Sequence, residues 1–163
     1  MRQQQQGVML IEALIGILIF SIGILALIAM QASAISAQAD AQVRIEAANL
    51  ADRLVNKLWV NVDRTTTATL QNSLSGPGGF AHQATEASWC TFSGAVSTNP
   101  IVLDWVDDVT NNAGLRLPGA AANMVSVAVD TSLTGFNKVT VSICWKAPTD
   151  LLARKHQVVT HIN

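Results

Sequence analysis

Nineteen of the 23 residues from Val8 to Met30 are hydrophobic, and the run carries a single charge, at Glu12. After Glu12, Ala13–Met30 is 18 residues without a charge, and Ser21 is its only strongly polar member. As an α-helix that stretch is about 27 Å long, which nearly matches a hydrocarbon core of about 30 Å. A run of this kind is expected to enter a membrane. It also divides the chain into an apolar rod and a remainder of ordinary globular composition.

The division explains the averages. The 163 residues are 50% hydrophobic and only 13% charged, with a formal net charge of −1. Disorder requires low hydrophobicity and high charge, so it is excluded. A near-neutral balance leaves nothing to neutralise many phosphates, so nucleic acid is not an expected partner. Two cysteines are too few for a small disulfide-built domain.

Three readings of the N-terminus compete. A secretory signal peptide would have 7–15 apolar residues and a small-x-small cleavage site, which Ala32-Ser33-Ala34 could supply; the apolar run is too long for it, and a carboxylate sits near its start. A plain membrane anchor explains the length, but not Glu12, which costs about 2–3 kcal/mol or more in hydrocarbon. In the third reading Met1–Gly7 is a leader with one positive charge, Arg2, and Glu12 is the fifth residue of a mature chain that begins at Val8. The new amine of Val8 and the Glu12 carboxylate of a neighbouring subunit then neutralise each other, which offsets the burial of both.

The segment Gly7-Val8-Met9-Leu10-Ile11-Glu12, followed by its long apolar helix, resembles the type IV prepilin family. That family combines a short basic leader, a glycine, an apolar first residue and a glutamate at the fifth mature position. The resemblance implies cleavage after Gly7 by prepilin peptidase and N-methylation of Val8. Two departures are visible: Val stands where Phe is usual at the first position, and Ala29 stands where many major pilins have a helix proline. Gly16 and Gly23 are weak helix points that could serve instead. The stretch Ser21-Ile22-Gly23-Ile24-Leu25 and the turn Arg116-Leu117-Pro118-Gly119 resemble the minor-pilin subgroup PilV, the type IV pilus modification proteins. Minor pseudopilins of type II secretion have similar N-termini.

Beyond Met30 the chain becomes amphipathic. Val43, Ala47, Leu50, Leu54, Leu58 and Val62 recur at steps of three and four, with Asp40, Arg44, Glu46, Asp52, Arg53 and Lys57 between them. This spacing predicts one helical face. Neither Pro nor Gly interrupts 31–64, so a single helix from Val8 to Asp63 is expected, with a separate second helix as the alternative.

The remainder, 65–163, is expected to be a globular head. Thr65–Gly79 reads as a polar, Gly-rich loop; no lysine follows its glycines, so it does not read as a phosphate cradle. Asn99-Pro100 opens a short helix whose apolar face is Val102, Trp105, Val106 and Val109. Asp104, Asp107 and Asp108 lie elsewhere on it and read as a solvated face. Met124–Asp130 and Val139–Trp145 alternate as strands, Gln157–Ile162 is a shorter third, and an antiparallel meander follows.

Cys90 and Cys144 are the only cysteines. A head outside the cytoplasmic membrane lies in an oxidising compartment, which predicts a bridge, with two buried free thiols as the alternative. His156 and His161 fall on opposite sides of one strand and His82 stands alone, so no metal or other cofactor is expected. No catalytic frame surrounds any Ser, His or Asp, so an enzyme is not expected either. Trp59 and Trp89 are expected to be core residues.

Together these observations predict an α+β, pilin-like fold: a leader, 1–7; a long helix, 8–64, whose 8–30 part suits membrane or filament core; and a small antiparallel sheet head, 65–163. The resemblance implies a minor pilin of the type IV pilus, first in the bacterial inner membrane with its N-terminus cytoplasmic, then in the pilus at the cell surface. Its partners would be other minor pilins, the major pilin, prepilin peptidase and the assembly platform. It would take part in priming assembly and in the tip complex, supporting adhesion and twitching motility. A minor pseudopilin is the first alternative. The second is a membrane-anchored periplasmic binding domain that grips a ligand through an exposed Trp59 or Trp89.

Overall fold

A long uninterrupted helix is what the absence of proline and the high content of Ala, Leu and Gln allow, and in the computed structural model α1 spans Gln6–Asn61. The structure describes residues 6–148 and 150–163; Arg2 of the expected leader lies outside them. The chain divides into two compact units, one up to Gln42 and one of Val43–Asn163.

The first unit is helical. Its large apolar side chains from Val8 to Met30 are all exposed, while the backbone hydrogen bonds are closed within the helix. Ser21 adds its hydroxyl to the Ile17 carbonyl at 2.7 Å. A segment whose polar backbone is satisfied internally and whose side chains are apolar all round suits a hydrocarbon surround. It is long and apolar enough to cross a membrane.

In the second unit the helix changes character. Ala47, Leu50, Ala51, Leu54 and Leu58 are fully or almost fully buried and form one stripe, with Val43 and Val55 at its borders. The spacing read from the sequence is the spacing buried. The helix stops at Asn61, slightly before the expected end, because Asp63 turns its carboxylate onto the amide of Thr65 at 2.8 Å. Such a local side-chain bond competes with helix continuation.

The expected loop Thr65–Gly79 is instead mostly a second helix, α2 (Thr67–Ser75). Thr66 and Thr69 form a reciprocal capping box, with Thr69 replacing the usual Glu or Gln, and Leu70 and Leu74 are buried in the core. Composition misled here: threonines that look like loop residues serve as a cap, and only two apolar side chains are needed to dock a helix of this length.

Helix α3 (Pro100–Thr110) is capped by the Asn99 side chain, which accepts from the Ile101 amide at 3.0 Å. Val102, Trp105 and Val109 are its buried face. A single 3-10 turn (Ala122–Met124) leads into β3 (Val125–Asp130), which pairs antiparallel with β4 (Lys138–Trp145), and β4 with β5 (Arg154–His161). The expected meander is therefore present, with its last strand beginning earlier than read. Val125, Val127, Val139, Val141, Ile143 and Trp145 share one face of this sheet and one core with the helices.

Two short strands close the other face at one end. β1 (Thr85–Ser88) and β2 (Thr91–Ser93) form a hairpin whose Cys90 and Phe92 pack with Cys144 in a second buried cluster. Cys144 lies between Ile143 and Trp145 on β4, so its side chain leaves the sheet on the opposite side from theirs. The result is an α+β, pilin-like architecture: a long N-terminal helix packed on a small antiparallel sheet head.

Candidate functional site

The residues expected to carry processing and assembly lie at the start of α1. Gly7 is in its first turn, where backbone amides have no intrahelical acceptor. Val8 and Glu12 follow one helical turn apart, so they share a face. Both are exposed, as are Met9, Leu10, Ile11 and Ile15 around them. A carboxylate set among apolar side chains, with none of the latter covered, leaves its pairing and desolvation to a surround other than this chain.

In the second unit Cys90 and Cys144 are joined, with an S–S distance of 2.10 Å and 54 residues of separation. The bridge ties the hairpin turn to the end of β4. Cys90 has φ +59°, a left-handed conformation unusual for a side-chain-bearing residue. Its amide reaches the Glu86 carboxylate at 3.4 Å, and that carboxylate also takes the Lys155 ammonium at 2.6 Å. The Lys155 hydrogen bond is the main cause that holds the Glu86 carboxyl below its ordinary value.

Trp59 and Trp89 correct the expectation that they are core: both are exposed, whereas Trp105 and Trp145 are buried. Arg64 stacks over Trp59 at 5.1 Å, and Lys155 over Trp89 at 4.8 Å. The Trp89 indole N–H donates to the Ala153 carbonyl at 2.9 Å. Each ring is held on its polar side by a cation or a carbonyl, which lets it remain at the surface.

His82 is buried, and its backbone makes an isolated bridge to Val127 on the edge of β3. Its Nδ1 accepts the Ser97 amide at 3.3 Å, which assigns the proton of the neutral ring to Nε2. Nε2 has no hydrogen-bond partner among the described residues, and burial pushes the imidazole below its ordinary value. His82 also borders a cavity of about 570 Å³ lined largely by glycine, alanine, serine and threonine from 75–79 and 94–98.

The acids of α3 do not converge. Asp107 and Asp108 accept from Asn111 and Asn112 one turn on, Asp108 lies 3.5 Å from Arg53, and Asp104 is exposed. His156 faces the core side of β5 opposite Ile143, and His161 the other side opposite Lys138. Among the described residues no three His, Cys, Asp or Glu side chains are placed to hold a metal ion. Comparison with family models, with curated proteins and with solved structures gave no match to this chain.

Proposed function

We propose that the chain is a minor pilin of the type IV pilus, of the PilV kind, processed after Gly7 and N-methylated at Val8. One observation carries this reading: the exposed apolar run Val8–Met30 has its only carboxylate five positions after a glycine, and the helix that contains it goes on to pack on a small antiparallel sheet. An apolar rod of this type is stable in lipid, or in the core of a bundle of like helices, and not in water. The head supplies surface, and the rod supplies membrane insertion followed by filament packing.

On this reading the partners are other minor pilins, the major pilin, prepilin peptidase and the assembly platform. The chain is a substrate of a peptidase rather than an enzyme. It takes part in priming assembly and in the tip complex, which supports adhesion and twitching motility. It begins in the inner membrane with a cytoplasmic N-terminus and ends in the pilus.

Mass spectrometry of the native N-terminus is the primary test. A methylated start at Val8 is expected; a start near Ala32–Ile35 would sink the reading in favour of ordinary secretion. The same rod also suits a minor pseudopilin of type II secretion. Gene deletion separates the two, since loss of surface pili with intact exoprotein secretion is expected for a pilin and the reverse for a pseudopilin.

A further inference from the structure

The turn between β4 and β5 ends in two adjacent leucines that cover nothing: Leu151 is 92% exposed and Leu152 75%. Trp89, 62% exposed, lies beside them, because its indole nitrogen is bonded to the carbonyl of Ala153, the next residue along the chain. Three large exposed apolar groups from two separate hairpins are thus placed near one end of the sheet. A cluster of this kind marks a contact site. We infer that Leu151, Leu152 and Trp89 dock the head on the anionic headgroup layer of the bilayer that α1 spans.

The chemistry of the rim selects this occupant. Lys155 lies on the Trp89 side of the sheet, opposite Cys144 and paired with Glu86; Arg154 lies on the core side, opposite Trp145 and paired with Asp150, which Lys146 also neighbours. Hydrogen bonds from Arg154 and Lys155 hold both acids below their ordinary carboxyl values, so both pairs are ionised and neutral and Lys146 leaves this end of the head with one formal positive charge in surplus, while the whole chain is formally −1. Lys155 lies over the Trp89 ring, its ammonium at the edge of an apolar surface. Tryptophan, leucine and flanking lysine form the combination that sits at a lipid–water interface, with the ring at headgroup depth and the amines among the phosphates. Only twelve residues of sequence, 31–42, separate the apolar run from the second unit, so docking on the bilayer is an intramolecular event that needs little intrinsic affinity.

The inference rests on the reading that Val8–Met30 spans a membrane. Its test uses the full-length chain reconstituted into vesicles of phosphatidylcholine alone, or of phosphatidylcholine with phosphatidylglycerol, each containing brominated acyl chains that quench tryptophan. The difference between the parent chain and Trp89→Phe isolates the Trp89 signal from the other three tryptophans. Quenching of Trp89 several-fold stronger in the anionic vesicles, and lost in the double substitution Leu151→Ser with Leu152→Ser, is the expected result. Absence of Trp89 quenching, or quenching indifferent to lipid charge or to the leucine pair, overturns the inference. So does a photo-crosslinker at position 151 that in cells forms a protein adduct rather than a lipid adduct. Resistance of the parent chain to carbonate extraction reads α1 alone: its loss removes the membrane-spanning reading, whereas its retention without Trp89 quenching removes only the docking patch. The leucines are exposed, so an intact disulfide and an unchanged near-ultraviolet dichroism are expected in the variant.

Discussion

The indole nitrogen of Trp105 donates to the backbone carbonyl of Leu50 at 2.9 Å, across 55 residues of sequence. Leu50 is in the amphipathic half of α1 and Trp105 is the centre of the apolar face of α3. This core tryptophan is therefore fixed by the packing of its apolar body and by a hydrogen bond from its polar tip to the helix. Trp105→Phe keeps most of the packing and loses the bond. It is expected to lower head stability by about 1–3 kcal/mol, from the lost hydrogen bond and the space left behind. A denaturant titration followed by circular dichroism measures it; a midpoint equal to the parent's would show that the bond contributes nothing.

The Cys90–Cys144 bridge closes a long loop, and its removal is expected to cost about 4 kcal/mol in the chain-entropy model. The hairpin should be affected most, since Cys90, Phe92 and Cys144 form their own cluster. Thermal unfolding with and without reductant, repeated on the Cys90→Ser, Cys144→Ser double variant, tests this. An unchanged melting temperature on full reduction would contradict it.

His82 makes stability depend on pH. The unfolded imidazole titrates near 6.5, and burial lowers the folded value. Below about pH 6.5 the unfolded chain takes the proton first, so stability falls as pH falls until the folded value is passed. Asp63, Glu86, Asp130 and Asp150 act lower down. Hydrogen bonds, from Thr65, Lys155, Ser132 and Arg154 respectively, lower their carboxyl values. Their stabilisation is present above about pH 4, the ordinary carboxyl value, and is lost as pH falls through the folded values. His82→Asn retains an acceptor for the Ser97 amide without titrating. It is expected to flatten the fall in stability that sets in below about pH 6.5, as read from unfolding midpoints; an equally steep profile would assign the slope to other groups.

Gly119 has φ +63°, and a Cβ there would lie within contact-forbidden range of the Lys146 carbonyl, at 2.3 Å. The approach is fixed by the Lys146 amide, which donates to the Pro118 carbonyl at 3.0 Å. Gly119→Ala therefore combines left-handed strain with a backbone clash and is expected to destabilise the head by at least about 1 kcal/mol. A chemical melt as stable as the parent's would show that the turn relaxes at no cost.

Glu12→Ala bears on the proposed assembly role. The variant should lose its leader normally but enter filaments poorly, because the Val8 amine of a neighbour lacks its counter-charge in an apolar surround. Immunoblots of whole cells and sheared pili separate the two steps. Incorporation at the parent level would remove the pairing argument. Replacement of Gly7 by a bulky residue should leave the leader attached, and normal cleavage would remove the prepilin assignment.

What the sequence determined by itself is the part of the protein governed by local periodicity and by solvent preference. The apolar run, its lone carboxylate, the stripe from Val43 to Val62, the Asn99-Pro100 cap and the alternation of β3 and β4 are legible because each follows from neighbours a few residues apart. Tertiary structure decided what depends on partners distant in the chain. Thr67–Ser75 is a helix because Leu70 and Leu74 find a core that its polar composition does not announce. The β1–β2 hairpin exists because Cys144 and the outer face of the sheet cover it. Trp59 and Trp89 are at the surface, where the sequence led to the expectation of core residues, whereas Trp105 is buried as its place on the apolar face of α3 predicts. Burial is a property of the assembled unit: a side chain's neighbours in space set its free energy, and the sequence orders only its neighbours in the chain.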